Sequence, residues 1–146
     1  MINRLAVSLL LLAIVLGCGK REHEVAPVLA NLLGTWQLTK PDSSFAVTIQ
    51  FTYDNRNPPI DITPFLASGK SSVNDYTARM FATVDGTMQI NEVVSTEKAG
   101  SGAAKQFEQE YLANLATVVR FESPTATQLY LYHGGPKPGV LVYKKL

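Results

Sequence analysis

Apolar residues occupy every second position in several stretches of this chain and follow helical spacing in only one. The clearest alternation is Phe45–Tyr53, where one face is apolar and the other carries small or polar residues. The helical segment is Ala103–Ala116. Because each parallel connection needs a crossover, usually a helix, a single helix cannot serve a parallel sheet. The pattern predicts an α+β domain that is mainly antiparallel: a curved sheet or incomplete β-barrel with one packed helix.

The other strands are predicted from the same alternation and from turn residues. Trp36 and Leu38 share one face of an opening strand, so the tryptophan is expected to fill one end of the core. Asp85-Gly86 is a two-residue hairpin signal between two alternating runs. The predicted strands around and after this hairpin are Asp75–Val84, Thr87–Val94, Val118–Glu122, Gln128–His133 and Val140–Lys144.

The predicted helix is amphipathic. Its apolar stripe is expected to pack on the sheet rather than to bind a ligand. The stripe consists of Ala104, Phe107, Tyr111 and Leu115, with Leu112 alongside. Lys105, Glu108 and Gln109 are expected to face solvent.

Two segments are candidate binding surfaces for a partner or a ligand. The first is Asp54–Gly69, whose prolines predict a long irregular loop with exposed apolar groups. The alternative is that these groups fold back over the core. The apolar residues of this loop are Ile60, Ile62, Phe65 and Leu66.

The second candidate surface is the strand face that carries Tyr130 and Tyr132. These rings would stack on a ligand or form the aromatic face of an ordinary sheet.

The first residues predict export and lipid attachment. Arg4 precedes the apolar run Leu5–Leu16, which is shorter than the roughly 20 residues that a transmembrane helix needs. A charged start and a short apolar run are typical of a signal peptide, which we expect to be residues 1–17. The segment Val15-Leu16-Gly17-Cys18 resembles the lipobox of bacterial lipoproteins. This resemblance implies cleavage before Cys18 and a lipid on its thiol, which would attach the chain to a membrane.

A charged, proline-containing segment follows the lipobox. We expect residues 18–30 to form a flexible tether and residues 31–146 to form one domain. Gly19 stands after the cysteine, where aspartate would favour retention at the inner membrane. The expected location is therefore the cell envelope, at the outer membrane.

Composition argues against several kinds of partner and chemistry. The full sequence has 13 basic and 12 acidic residues, so the exported chain, without Arg4, has twelve of each. This balance predicts no nucleic-acid partner. Cys18 is the single cysteine, and in the expected domain the histidines and carboxylates are not clustered. In the tether His23 stands between Glu22 and Glu24, where weak metal binding is the alternative to the solvated linker that we expect. We therefore expect no metal site, no cofactor and no catalytic site. His133 is expected to be exposed at the rim of the sheet.

Short motifs stand in a definite order along the expected domain. It opens with Leu33-Gly34-Thr35-Trp36, and Gly69, Asn74 and Tyr76 follow at spacings that match part of a Gly-x-x-Gly-Cys-Asn-x-Tyr pattern. Together with Ser95-Thr96, this order resembles the META domain, or HslJ-like, family over nearly the whole exported chain. Neither family cysteine is present, which argues against a redox role. From the residues themselves, Gly69 suits unusual backbone angles and Asn74 suits a turn.

The resemblance implies a bacterial envelope protein without enzymatic activity. With the predicted anchor, it leads us to expect a protein-interaction module, or an envelope stress or stability module, whose partner is another envelope protein. The alternative is a lipocalin-like carrier of an apolar ligand or lipid, because Gly34-Thr35-Trp36 is similar to the lipocalin opening Gly-x-Trp. Lipocalins place their helix after eight strands, whereas here a helix interrupts the strands.

Overall fold

The computed structural model describes residues 25–56 and 62–146, and eight antiparallel strands form one sheet within these ranges. Their order across the sheet is β5-β4-β3-β2-β1-β8-β7-β6. The elements are α1 (Pro27–Ala30), β1 (Gly34–Lys40), β2 (Thr48–Tyr53), β3 (Thr63–Lys70), β4 (Asp75–Ala82), β5 (Met88–Ser95), α2 (Gly102–Ala116), β6 (Val118–Thr125), β7 (Gln128–His133) and β8 (Gly139–Lys145).

The sheet curls into a half-barrel, because its two edge strands approach each other at one end. The backbone N–H of Phe121, on β6, donates to the carbonyl of Gly86 beside β5 at 2.8 Å. Thr87 and Arg120 form an isolated antiparallel bridge at the same place. Helix α2 connects the two edge strands and packs against β5 and β7. The predicted α+β architecture, a curved antiparallel sheet with one packed helix, is confirmed.

The inward face of the half-barrel is filled by large side chains. Trp36 is fully buried, and its indole N–H donates to the carbonyl of Leu32 at 2.8 Å. The alternation predicted for the second strand is also observed, since Val47, Ile49 and Phe51 are buried. Further residues with less than 2% exposure are Leu38, Phe65, Met80, Leu129, Leu131 and Tyr143.

The prediction of an irregular loop over Asp54–Gly69 is wrong for its second half. Thr63–Lys70 forms β3, which pairs with β2 and β4 inside the sheet. Pro64 is tolerated because it is the second residue of the strand. The carbonyl of Pro64 accepts a hydrogen bond from the backbone N–H of Asp54, the residue that follows the end of β2. The proline nitrogen, which has no hydrogen to donate, therefore lies beside the end of β2, where the pairing of the two strands stops.

Residues before residue 31 also pack against the core. Pro27–Ala30 forms one helical turn, and Leu29, which is 3% exposed, belongs to the core. Val25 also packs against this core. The predicted signal peptide and the first part of the predicted tether lie outside the described residues. In the part of the chain that the structure describes, the helices are too short or too polar to cross a bilayer.

Gly69 has a different structural role from the one predicted. Its backbone φ is not in the left-handed region. Instead, β3 approaches β2 so closely that a Cβ on Gly69 would lie 2.0 Å from the carbonyl oxygen of Thr48. The glycine therefore permits the close contact of two strands where the sheet curls.

Replacing Gly69 with alanine is expected to lower the free energy of unfolding by about 2–3 kcal/mol or more, because the methyl group overlaps with backbone that cannot move freely. The matched control is Gly102→Ala at the start of α2, where an added Cβ has no atom within 4 Å. Alanine favours helix there, so this variant should be as stable as the parent or slightly more stable. Urea unfolding of both variants measures the difference, and equal midpoints would contradict the steric explanation.

Candidate functional site

The apolar residues predicted to form a binding loop do not form one surface. Phe65 is 1% exposed and belongs to the core, whereas Leu66 is half-buried on the opposite face of β3. Ile62 is 53% exposed just before β3. Ile60 lies outside the described residues. Phe65 thus agrees with the alternative prediction, in which the apolar side chains of this segment cover the core.

Tyr130 and Tyr132 are half-buried on the outer face of β7. The guanidinium of Arg120 lies 4.0 Å from the ring centroid of Tyr132, and the phenol of Tyr132 donates to Glu122 at 2.8 Å. Tyr132 is therefore engaged by neighbours on β6. Three strands, β2, β1 and β8, separate β7 from β3, so the two predicted surfaces are not one site.

Glu108 is buried, which contradicts the prediction that it faces solvent. Its carboxylate accepts from the side-chain amide of Asn74 at 2.6 Å, from the backbone N–H of Asn74 at 2.9 Å and from the hydroxyl of Ser71 at 2.7 Å. Burial alone would raise the pKa of Glu108, but these hydrogen bonds prevail and lower it. The carboxylate thus joins α2 to the β3–β4 turn.

Asn74 extends this network to the segment before α2. Its side-chain oxygen accepts from the hydroxyl of Thr96 at 2.9 Å and from the backbone N–H of Lys98 at 2.6 Å. Asn74 lies in the β3–β4 turn, where its carbonyl accepts from the backbone N–H of Ser71 at 2.8 Å. From this turn its side chain contacts two further segments, α2 and residues 96–98.

Three buried tyrosines form a second polar connection across the half-barrel. The phenol of Tyr76, on β4, donates to the carbonyl of Thr48 at 3.0 Å. Since that donation uses its single proton, Tyr111 must donate to Tyr76 at 2.7 Å, and Tyr143 must donate to Tyr111 at 3.1 Å. Burial raises the pKa of Tyr111 to about 12 and raises the pKa values of Tyr76 and Tyr143 well above the usual value. The phenols therefore remain protonated at physiological pH.

His133 is 8% exposed, so the prediction of an exposed rim residue is wrong. It lies on the inward face of β7 with Leu129 and Leu131, and its Nδ1 atom has no hydrogen-bond partner. Gly139, its partner on β8, packs so closely that a Cβ there would lie 2.9 Å from Nε2. A general base needs a hydrogen-bonded nucleophile, and His133 forms no such pair within the described residues.

A groove runs along the side of α2 that faces the β1–β2 and β7–β8 connections, and it is the candidate functional site. We name it the α2 groove, and it consists of two adjoining cavities of about 260 and 300 Å³ that share Glu110 and Asn114. Its other walls are the β1–β2 and β7–β8 connections. The first cavity is also lined by Pro41, Asp42, Phe107, Tyr111 and Leu141, and the second by Ala113, Thr117, Gly134, Pro136 and Lys137.

Three polar side chains of the α2 groove, those of Asp42, Glu110 and Asn114, retain hydrogen-bonding capacity for a partner. Asp42 accepts a hydrogen bond from the backbone N–H of Ser44 at 2.8 Å, which lowers the pKa of Asp42 and keeps it ionised. In the described part of the chain, neither Asp42 nor Glu110 forms an ion pair. The Asn114 side-chain amide likewise makes no hydrogen bond to any described residue. Sequence reasoning missed this groove, because its walls come from three distant segments.

No group of three or more histidine, cysteine or acidic residues within the described ranges has the geometry to hold a metal ion. The arrangement in the α2 groove, with carboxylates, an amide, a lysine and apolar walls, is suited to reversible binding.

Glu108→Gln is expected to lower the free energy of unfolding at neutral pH by about 1–3 kcal/mol, because the buried donors of Ser71 and Asn74 lose a charged acceptor. A carboxylate whose pKa is lowered on folding stabilises the protein above its unfolded pKa, here near 4.5, and this contribution is lost as the pH falls through the lower folded pKa. The difference between parent and variant in urea unfolding should therefore shrink as the medium is acidified.

The exposed carboxylate Glu97 provides the matched control for this experiment. Glu97→Gln should leave the unfolding free energy nearly unchanged at each pH. A Glu108→Gln effect of the same size at neutral and acidic pH would contradict the proposed charged network.

Comparisons with known proteins agree with this fold. The family model described as the META domain matches residues 30–144. A solved structure described as the NMR structure of a protein from Burkholderia xenovorans is 19% identical, with a TM-score of 0.57, and the match covers 88% of this chain and 97% of that one. This likeness shows the fold alone. No curated protein matches the chain significantly. Because the family model covers most of the chain, the protein belongs to the META domain family.

Proposed function

We propose that this protein is a lipid-anchored envelope protein, without catalytic activity, whose META domain binds an extended segment of another envelope protein in the α2 groove. The observation that carries this proposal is the groove itself, where, among the described residues, the carboxylates of Asp42 and Glu110 form no ion pair and the side-chain amide of Asn114 makes no hydrogen bond. Polar groups beside apolar walls give a surface both affinity and specificity.

The filled interior supports partner binding over the alternative of a lipid carrier. A carrier needs an enclosed apolar cavity that takes up most of its ligand. Here the inward positions hold Trp36, Phe51, Phe65 and Tyr143, each at most 1% exposed. The phenol chain from Tyr143 to Thr48 also crosses this space. A lipid chain would have to displace packed side chains.

The position of the N-terminal segment supports an orientation for the anchored domain. Val28, on α1, lines a cleft with Val84 and Pro124, at the end of the half-barrel where β4 meets β5. The β1–β2 and β7–β8 connections lie at the opposite end, because antiparallel strands alternate in direction. Cys18 precedes Val25 by seven residues, a reach of about 25 Å at most. An anchor on Cys18 would therefore keep α1 near the membrane and direct the groove away from it.

The anchor is tested by Cys18→Ala. The parent protein should sediment with membranes and incorporate an alkyne-labelled fatty acid, and the variant should do neither, because Cys18 is the only cysteine in the chain. Labelling is read by in-gel fluorescence. A Cys18→Ala variant that still carries the fatty acid would contradict lipid attachment at this residue.

The binding surface is tested with a photo-crosslinking amino acid placed at Ala113, which is exposed and lines the groove. Irradiation of cells should give one discrete adduct, identified by mass spectrometry. The same group at Gln50, exposed on the outer face of β2, is the matched control and should give none. Adducts at Gln50 but not at Ala113 would assign the binding surface elsewhere, and a lipid adduct at Ala113 would favour the carrier.

A further inference from the structure

We infer that the segment bound in the α2 groove is an extended peptide of about five residues that carries a lysine or arginine at the end near Asp42. This inference rests on the proposed function and specifies the chemistry of the partner.

The charge of the first cavity favours a cationic side chain. Asp42 and Glu110 line one cavity of about 260 Å³, and within the described residues no lysine or arginine lines that cavity with them. The same cavity has apolar walls from Phe107 and Leu141. Lysine and arginine combine an apolar stem with a charged end, so one such side chain would satisfy both features. An anionic lipid headgroup or a nucleic-acid phosphate would be repelled by the two carboxylates.

The side-chain amide of Asn114 favours the backbone of an extended peptide. Asn114 lies where the two cavities join, and its side-chain amide offers both a donor and an acceptor. An extended peptide has N–H and C=O groups without internal partners, and an amide side chain can bond both. Glu110 and Asn114 are four residues apart, so both project from the same face of α2.

The length of the groove and the charges along it limit the size and the direction of a bound peptide. From Phe107 to Thr117 the helix advances about 15 Å, which matches about five residues of extended chain. Lys137 lines the cavity at the far end, beside Pro136. Asp42 lines only the first cavity and Glu110 lines both, so a bound peptide would place its cation in the first cavity near Asp42 and a carboxylate near Lys137.

The test uses the full-length lipidated protein in detergent and an array of pentapeptides in which every position is varied. The expected result is selection of lysine or arginine at one terminal position and of an acidic residue at the other. Glu110→Gln should weaken binding of the selected peptides by about 2- to 5-fold, the effect of losing one partly exposed ion pair. Glu97→Gln, which changes an exposed carboxylate outside the groove, should leave binding unchanged.

The contrary outcomes separate this inference from the proposed function. Peptides that bind without preference for a basic residue, yet lose binding in the groove-filling variant Ala113→Trp, would overturn the inference and retain the binding site. If no peptide is bound, or if binding is insensitive to Ala113→Trp, both are overturned. The array also contains the tether sequence Gly19–Glu24, which includes Lys20 and Arg21. Selection of that peptide alone would assign the groove to this chain's own tether and overturn the inference of a partner.

Discussion

The position of α2 depends most on the buried carboxylate of Glu108, together with the phenol of Tyr111. An eight-stranded sheet that curls without closing leaves an opening between β5 and β6, and α2 connects these two strands. Apolar packing holds the helix against the sheet, and Tyr111 shares hydrogen bonds with the phenols of Tyr76 and Tyr143. Glu108 adds three hydrogen bonds from Ser71 and Asn74 that are short, charged and directional. The α2 groove exists because the helix is held in this position.

The interior of this domain is filled. Large side chains and a chain of three phenols occupy the space that a lipocalin-like barrel would offer to a ligand. The proposed binding of a partner therefore relies on the surface beside α2. There, Asp42, Glu110 and Asn114 lie beside Phe107 and Leu141, which provides charge, hydrogen bonding and apolar contact in one groove.

Much of the fold follows from local periodicity, and the errors have identifiable physical causes. The alternation around Ile49 and the stripe through Tyr111 predicted real elements, because each pattern reflects one buried face. Because of Pro64, the sequence predicted a loop where the structure has β3. Sequence alone does not show that the proline nitrogen, which cannot donate a hydrogen bond, lies beside the end of the neighbouring strand. Glu108 and His133 were predicted to be exposed, because polar residues usually are, and burial depends on partners brought from distant segments.

The sequence by itself determined an α+β domain with an antiparallel curled sheet, one helix and a family membership, because these depend on residue spacing and motif order along the chain. The tertiary structure alone decided which polar residues are buried and where a groove forms. Glu108 meets Asn74 across 34 residues, and the groove joins Asp42 to Lys137 along one side of α2. Such sites arise from contacts between segments far apart in the chain, and local patterns carry no information about those contacts.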